Sequence, residues 1–163
     1  MDTSQGRNAK NVRQVQVALL GSGAEEMIDF PNEESKLFWL AAVIDCDGCI
    51  NLSKYTPKEK RTISWHPQLI IDNKNRLFLC KVQKWFGGRV YYITRKHRKN
   101  YHSLHFFQRR IRELLPEIIP YLAIKQKQAI FLIEALKILE NYNGQGERME
   151  QVYQEMKRLN APS

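Results

Sequence analysis

Two aspartates lie two residues apart in an apolar run, "LAAVIDCDGCINL", Leu40 to Leu52. Thiols and a glycine share the stretch, at spacings that suit three kinds of chemistry. Cys46 and Cys49 form a Cys-x-x-Cys, half of a zinc centre or a redox pair. A zinc site needs a second half, and Cys80, His97, His102 and His105 show no paired spacing of the usual kind. A thioredoxin-like pair opens a helix after a strand, whereas here the helical pattern comes first. The aspartates follow that helical run, so Asp47 is expected at a helix C-terminus, beside carbonyls that repel an anion. A hard divalent cation held by the Asp47 carboxylate, a backbone carbonyl and water offsets that repulsion. The same ion serves phosphodiester hydrolysis if a nucleic acid lies alongside. An ordinary Asp47-Gly48 turn is the alternative without chemistry.

The rest of the chain favours a polyanionic partner. Its 163 residues are 43% hydrophobic, enough for one compact domain. No run of 18 apolar residues is present, so no membrane span is expected. The polar start "MDTSQGRNAKNV" lacks a signal core, so an intracellular protein is expected. Three cysteines are too few for a disulfide scaffold. The net charge of +9 is unevenly spread. From Cys49 to Arg112 there are 16 basic and 2 acidic residues, against 10 basic and 15 acidic elsewhere. A segment that basic, with aromatics interleaved and no amphipathic basic helix, points to nucleic acid rather than a membrane.

Elements that would position these residues can be traced along the chain. Residues 1–32 are weakly patterned and read as an N-terminal extension to a domain over 33–163. "FPNEESKLFWLAAVID" reads as a helix, apolar on several sides and therefore buried nearly all round. "CINLSKY" and "TISWHPQLII" alternate as strands, the second with an expected bulge at Pro67. "NKNRLFLCKVQKWF" reads as a helix on Leu77, Val82, Trp85 and Phe86, stopped by Gly87-Gly88. "RVYYITR" and "YHSLHFF" form a second hairpin around "KHRKN". "RRIRELLPEIIPYL" is expected to break at Pro116 and Pro120. Two further helices follow. The order αββαββα predicts an α+β fold, a four-stranded antiparallel sheet with helices on one face, plus extra C-terminal helices.

The other face of that sheet is the expected DNA surface. Its outward positions would be Asn51, Ser53 and Tyr55, then Ser64, His66 and Gln68. The second hairpin would add Tyr91, Ile93 and Arg95, then Tyr101, Ser103 and His105. Arg61, Arg89, Lys96 and Arg98 surround them.

"LAAVIDCDG", Leu40 to Gly48, resembles the signature of the LAGLIDADG homing endonucleases, and "YLAIKQKQA", Tyr121 to Ala129, resembles the segment that carries their active-site lysine. The resemblance implies a site-specific double-strand DNA endonuclease, intron-encoded in origin, that cuts a long pseudo-palindromic target and leaves short 3′ overhangs. It implies Mg²⁺ as cofactor, with Mn²⁺ substituting and Ca²⁺ binding without cleavage. Asp47 matches the catalytic, metal-binding carboxylate, and Cys46 the residue whose backbone carbonyl faces the metal. Lys125 matches the lysine near the scissile phosphate, and Arg76 a basic residue near the active site. Asp72 stands where strand two usually ends in a glutamine that orients solvent. A single motif implies a homodimer, its interface formed by Leu37, Leu40, Ala41, Ala42 and Ile44. Intron RNA, bound as by a maturase, and a non-cleaving DNA regulator are the alternatives on the same fold.

Overall fold

The computed structural model describes residues 30–56, 63–94, 96, 99–141 and 146–162. Nearly all of the expected N-terminal extension therefore lies outside the described residues. Helix α1 (Glu33–Asp47) begins where Asn32 Oδ1 accepts the Ser35 N–H at 2.8 Å, with Glu33 and Glu34 in its positive first turn. It leads into the hairpin of β1 (Gly48–Tyr55) and β2 (Ser64–Asn73). Helix α2 (Arg76–Phe86) is capped by Asn75 and stopped by Gly87, at φ 78, whose N–H donates to Gln83 O. A second hairpin, β3 (Arg89–Ile93) and β4 (Tyr101–Phe106), leads to α3 (Gln108–Ile118). A short 3₁₀ turn at Ile119–Tyr121 precedes α4 (Gln126–Glu140) and α5 (Gly146–Leu159).

All strand pairs are antiparallel, in the order β1-β2-β4-β3. Ile50, Leu52, Leu69, Ile71, Leu104 and Phe106 point to one face and are buried against the helices. An aromatic group of Phe30, Trp39, Phe78 and Trp85 locks α1 to α2. The C-terminal helix is tied to β1 by the Lys54–Glu150 ion pair at 2.7 Å and by Asn160 Nδ2 donating to Ile50 O. Among the described residues no helix is long and apolar enough to cross a membrane.

Three local expectations differ from the structure. β1 and β2 pair one-to-one from Gly48↔Ile71 to Tyr55↔Ser64, so there is no bulge at Pro67. Pro67 falls in the part of β2 that pairs only with β1, where a strand tolerates proline as an edge strand does. Helix α3 runs through Pro116, because Leu114, Leu115 and Ile118 around it are fully buried and offset the lost backbone bond. Leu77, expected as an apolar anchor of α2, is 72% exposed, and Leu79 takes the inward place.

One junction sets where α1 ends. The N-terminus of α4 has no local side-chain cap. Its amides are met instead by Asp45, far back in sequence: Oδ2 accepts from Ala123 N at 2.7 Å and Ile124 N at 3.2 Å, and Oδ1 from Lys125 N at 2.9 Å. In return, Lys125 Nζ donates to the α1 carbonyls of Ile44 at 2.9 Å and Asp45 at 2.5 Å. An anion thus sits on a positive helix start and a cation on a negative helix end. Gly48 then turns the chain into β1 at φ −84, a conformation open to any residue. Glycine is needed for space: a Cβ there would lie 2.7 Å from the Ile44 Cα and O. Asp45→Ala is therefore expected to cost about 3 kcal/mol, and Gly48→Ala about 1–3 kcal/mol. Thermal unfolding of each variant checks both, with a loss of about 2–4 °C per kcal/mol.

Candidate functional site

The junction leaves Asp47 exposed at the last position of α1, over the end of β2. Its Oδ2 accepts from Asn73 Nδ2 at 3.0 Å. The Asn73 amide is oriented by its other end, since Oδ1 accepts the Asn75 N–H at 2.9 Å. Asp47, Asp72, Asn73, Lys74 and Tyr101 line one cleft. Cys46 precedes Asp47 and contributes its backbone to the same helix end. Lys125 is brought to that end as well, but its ammonium rests on the Ile44 and Asp45 carbonyls rather than on the Asp47 carboxylate. Arg76 opens α2, exposed, and is not among the residues lining the cleft.

The donor set suits a hard divalent cation. Asp47 supplies an exposed carboxylate, the backbone at Cys46 a carbonyl, and the cleft has room for water and a phosphate oxygen. Among the described residues no three His, Cys, Asp or Glu side chains converge on one point. A hard divalent cation that keeps most of its waters needs only one or two carboxylates beside substrate phosphates. The thiols contribute little to such a site. Cys49 lies on the sheet face opposite the core, and burial, aided by Asp72 and opposed by Lys125, pushes its thiol up from its usual range.

Beyond the cleft the open face of the sheet carries the expected residues. Asn51 stands opposite Gln68, with Asn51 Nδ2 at 3.5 Å from Gln68 Oε1. Ser53 stands opposite His66 and donates to its carbonyl, and Tyr55 stands exposed opposite Ser64. On the other side Arg89 lies over the Tyr91 ring, and Tyr91 meets His105 edge-on. Ser103 is buried between them and donates to Asp72 Oδ1 at 2.5 Å. His105 Nε2 lies 2.8 Å from Ser103 Oγ. Burial lowers the His105 pKa, with Asp72 opposing, so the ring is neutral at pH 7. Lys96 is exposed in the turn between β3 and β4. Arg61, Arg95 and Arg98 lie outside the described residues.

The β2 residue that touches Asp47 is Asn73, while Asp72, one position earlier, lines the same cleft and accepts from Ser103. One assignment is revised by the geometry. Leu40, Ala41 and Ile44 are fully buried within the chain, so they have no surface to offer a second copy. Leu37 is half-buried against the core. The outward stripe of α1 is Phe38, 47% exposed, with Ala42 partly exposed and Cys46 exposed, and Ile124 stands nearby, 71% exposed. The sequence reading assigned no role to Asp45 or Asn73. The signal for Asp45 was the α4 start, "LAIKQ", which lacks a capping residue of its own.

Known proteins share the family signature and the fold. The family model described as LAGLIDADG endonuclease matches residues 40–146. Among solved structures, the chain is similar to the homing endonuclease I-CvuI in complex with its target in the presence of Ca. Identity is 23%, the match covers 80% of this chain and 85% of that one, and the TM-score is 0.66. An archaeal intron-encoded homing endonuclease complexed with DNA is similar at 17% identity, over 81% and 88% of the two chains, with a TM-score of 0.67. I-SmaMI bound to cleaved DNA gives 15% identity and a TM-score of 0.67, over 86% of this chain but 48% of that one. Among the curated proteins no sequence relative is found. At these identities the structural likeness is one of fold, but the family match spans well over half of the sequence and takes in both Asp47 and Lys125: the chain belongs to the LAGLIDADG endonuclease family.

Proposed function

We propose that the chain is a site-specific double-strand DNA endonuclease of the homing type that uses Mg²⁺ and acts as a homodimer. The observation that carries this reading is Asp47, held exposed at the end of α1 and opening onto a broad polar sheet face. Mn²⁺ is expected to replace Mg²⁺, and Ca²⁺ to support binding alone. A bound cation would supply Lewis-acid stabilisation of the charge developing on a phosphodiester. The chain's own residues do the positioning. Lys125 neutralises the carbonyl end of α1, which would otherwise repel both Asp47 and a phosphate. Asn73 fixes the Asp47 carboxylate through one oxygen and leaves the other open to the cleft. Lys74 and Tyr101, at the rim, are placed to meet the backbone of the cut strand. Arg89 and Lys96 supply charge along the sheet, and the polar side chains between them supply contacts to base edges.

A second copy is supported by two observations. Phe38 and Ala42 on α1, with Ile124 bonded through its backbone to Asp45 of that helix, leave apolar side chains at the surface. The chain also matches about half of the longer I-SmaMI chain, so two copies would make up an equivalent body. A twofold pair would bring two Asp47 cleft sites together and call for a roughly palindromic target, cut to leave short 3′ overhangs.

On a target isolated by binding selection, Asp47→Asn is expected to bind as wild type and to lose cleavage by about 10²–10³-fold. Full cleavage by that variant would remove Asp47 from the site. Asn73→Ala should lower cleavage by about 10–100-fold through loss of carboxylate orientation. Arg89→Ala should weaken binding and reduce the slope of log K against log salt by about 0.9 per protomer, read by titration at several salt concentrations. Phe38→Glu should leave the fold intact and convert the protein to monomers in analytical ultracentrifugation. A Phe38→Glu dimer would place the interface elsewhere.

A further inference from the structure

Among the described strand positions of the open face, Asp72 is the only carboxylate. It makes no ion pair among the described residues, although the segment around it is strongly basic. A free carboxylate on a surface that takes a polyanion costs binding energy unless it meets a donor on the ligand. It is also held. Ser103 has one hydroxyl proton, and that proton goes to Asp72 Oδ1. A carboxylate gives none back, so the His105–Ser103 bond uses the His105 Nε2–H. The chain His105 to Ser103 to Asp72 therefore runs in one direction and ends on a pure acceptor. Asp72 Oδ2 makes no bond within the described residues and is exposed.

We infer that Asp72, positioned by Ser103 and His105, determines specificity by accepting the exocyclic N4–H of a cytosine beside the cut. This rests on the endonuclease reading above. The chemistry selects the base. In the major groove cytosine offers an amine donor without a neighbouring acceptor, whereas adenine sets N7 beside its N6 amine. Guanine and thymine offer acceptors at the corresponding positions, which a carboxylate repels. The location selects the position. Asp72 lines the same cleft as Asp47 and precedes Asn73, which touches it, so the base read lies close to the cut phosphate. Ser103 and His105 are positioning residues in this scheme.

The test is a binding selection from a randomised duplex library with the full chain in Ca²⁺, comparing wild type, Asp72→Asn and Ser103→Ala. Wild type is expected to select a C·G pair at one fixed position in each half-site. Asp72→Asn should reduce that preference by about tenfold or more and move it toward adenine, whose N6 and N7 an amide can pair with. All other positions should keep their preference. Ser103→Ala keeps the carboxylate but frees it, and should weaken the preference at that position alone. If both variants select the same base as wild type there, the inference fails while the endonuclease reading stands. If wild type selects no sequence at all, both fail. Should Asp72→Asn not fold, the Ser103→Ala selection decides by itself.

Discussion

Asp45 meeting the amides of 123–125, and Lys125 meeting the carbonyls of 44–45, hold the molecule's two halves at one point. Neither helix end could be left as it is. The start of α4 presents donors without a local cap, and the end of α1 presents acceptors where a glycine leaves no room for adjustment. Each supplies what the other lacks across nearly half of the chain length. The consequence for function is geometric. With its carbonyl end neutralised, α1 can terminate in a second aspartate that takes no part in the junction. Asp47 is then free to face the cleft, and among the described residues only Asn73 restrains it.

The same division of labour runs through the sheet. Its inner side is apolar and buried at its centre, through Ile50, Leu52, Leu69, Ile71, Leu104 and Phe106, and its outer side carries amides, hydroxyls, imidazoles and tyrosines with few charges of its own. Most of the basic residues between Cys49 and Arg112 lie in sequence outside the strands. In the proposed reading such charge attracts and orients a nucleic acid, and the polar face of the sheet discriminates bases. Cross-strand contacts such as Asn51 with Gln68 and Tyr91 with His105 fix these side chains before any ligand arrives.

Much of this could be read from the sequence where a short-range rule decides. Period-two alternation assigned the outer face of all four strands, and the register confirms it from Asn51–Gln68 to Tyr91–Ser103. Gly48 is visible in the sequence, but the reason for it is not: its φ is ordinary and the constraint is the neighbouring turn of α1. Asp45 was out of reach because its partners are about eighty residues away and are backbone amides. Asn73 was not legible because it follows Asp72 on the strand and points to the other side, where only the end of α1 gives it a partner. The outward stripe of α1 was misjudged because that helix is apolar on every side, so periodicity cannot say whether Leu40 or Phe38 turns inward.

One measurement addresses the central claim directly: incubate the purified protein with a randomised DNA library in Mg²⁺, in Ca²⁺ and in EDTA, and sequence the ends produced. The expected result is a single long pseudo-palindrome cut in Mg²⁺ alone, with short 3′ overhangs placed symmetrically about its centre. Cutting that persists in EDTA, or tight binding in Mg²⁺ with no cut at any sequence, would contradict a cation-assisted nuclease site at Asp47.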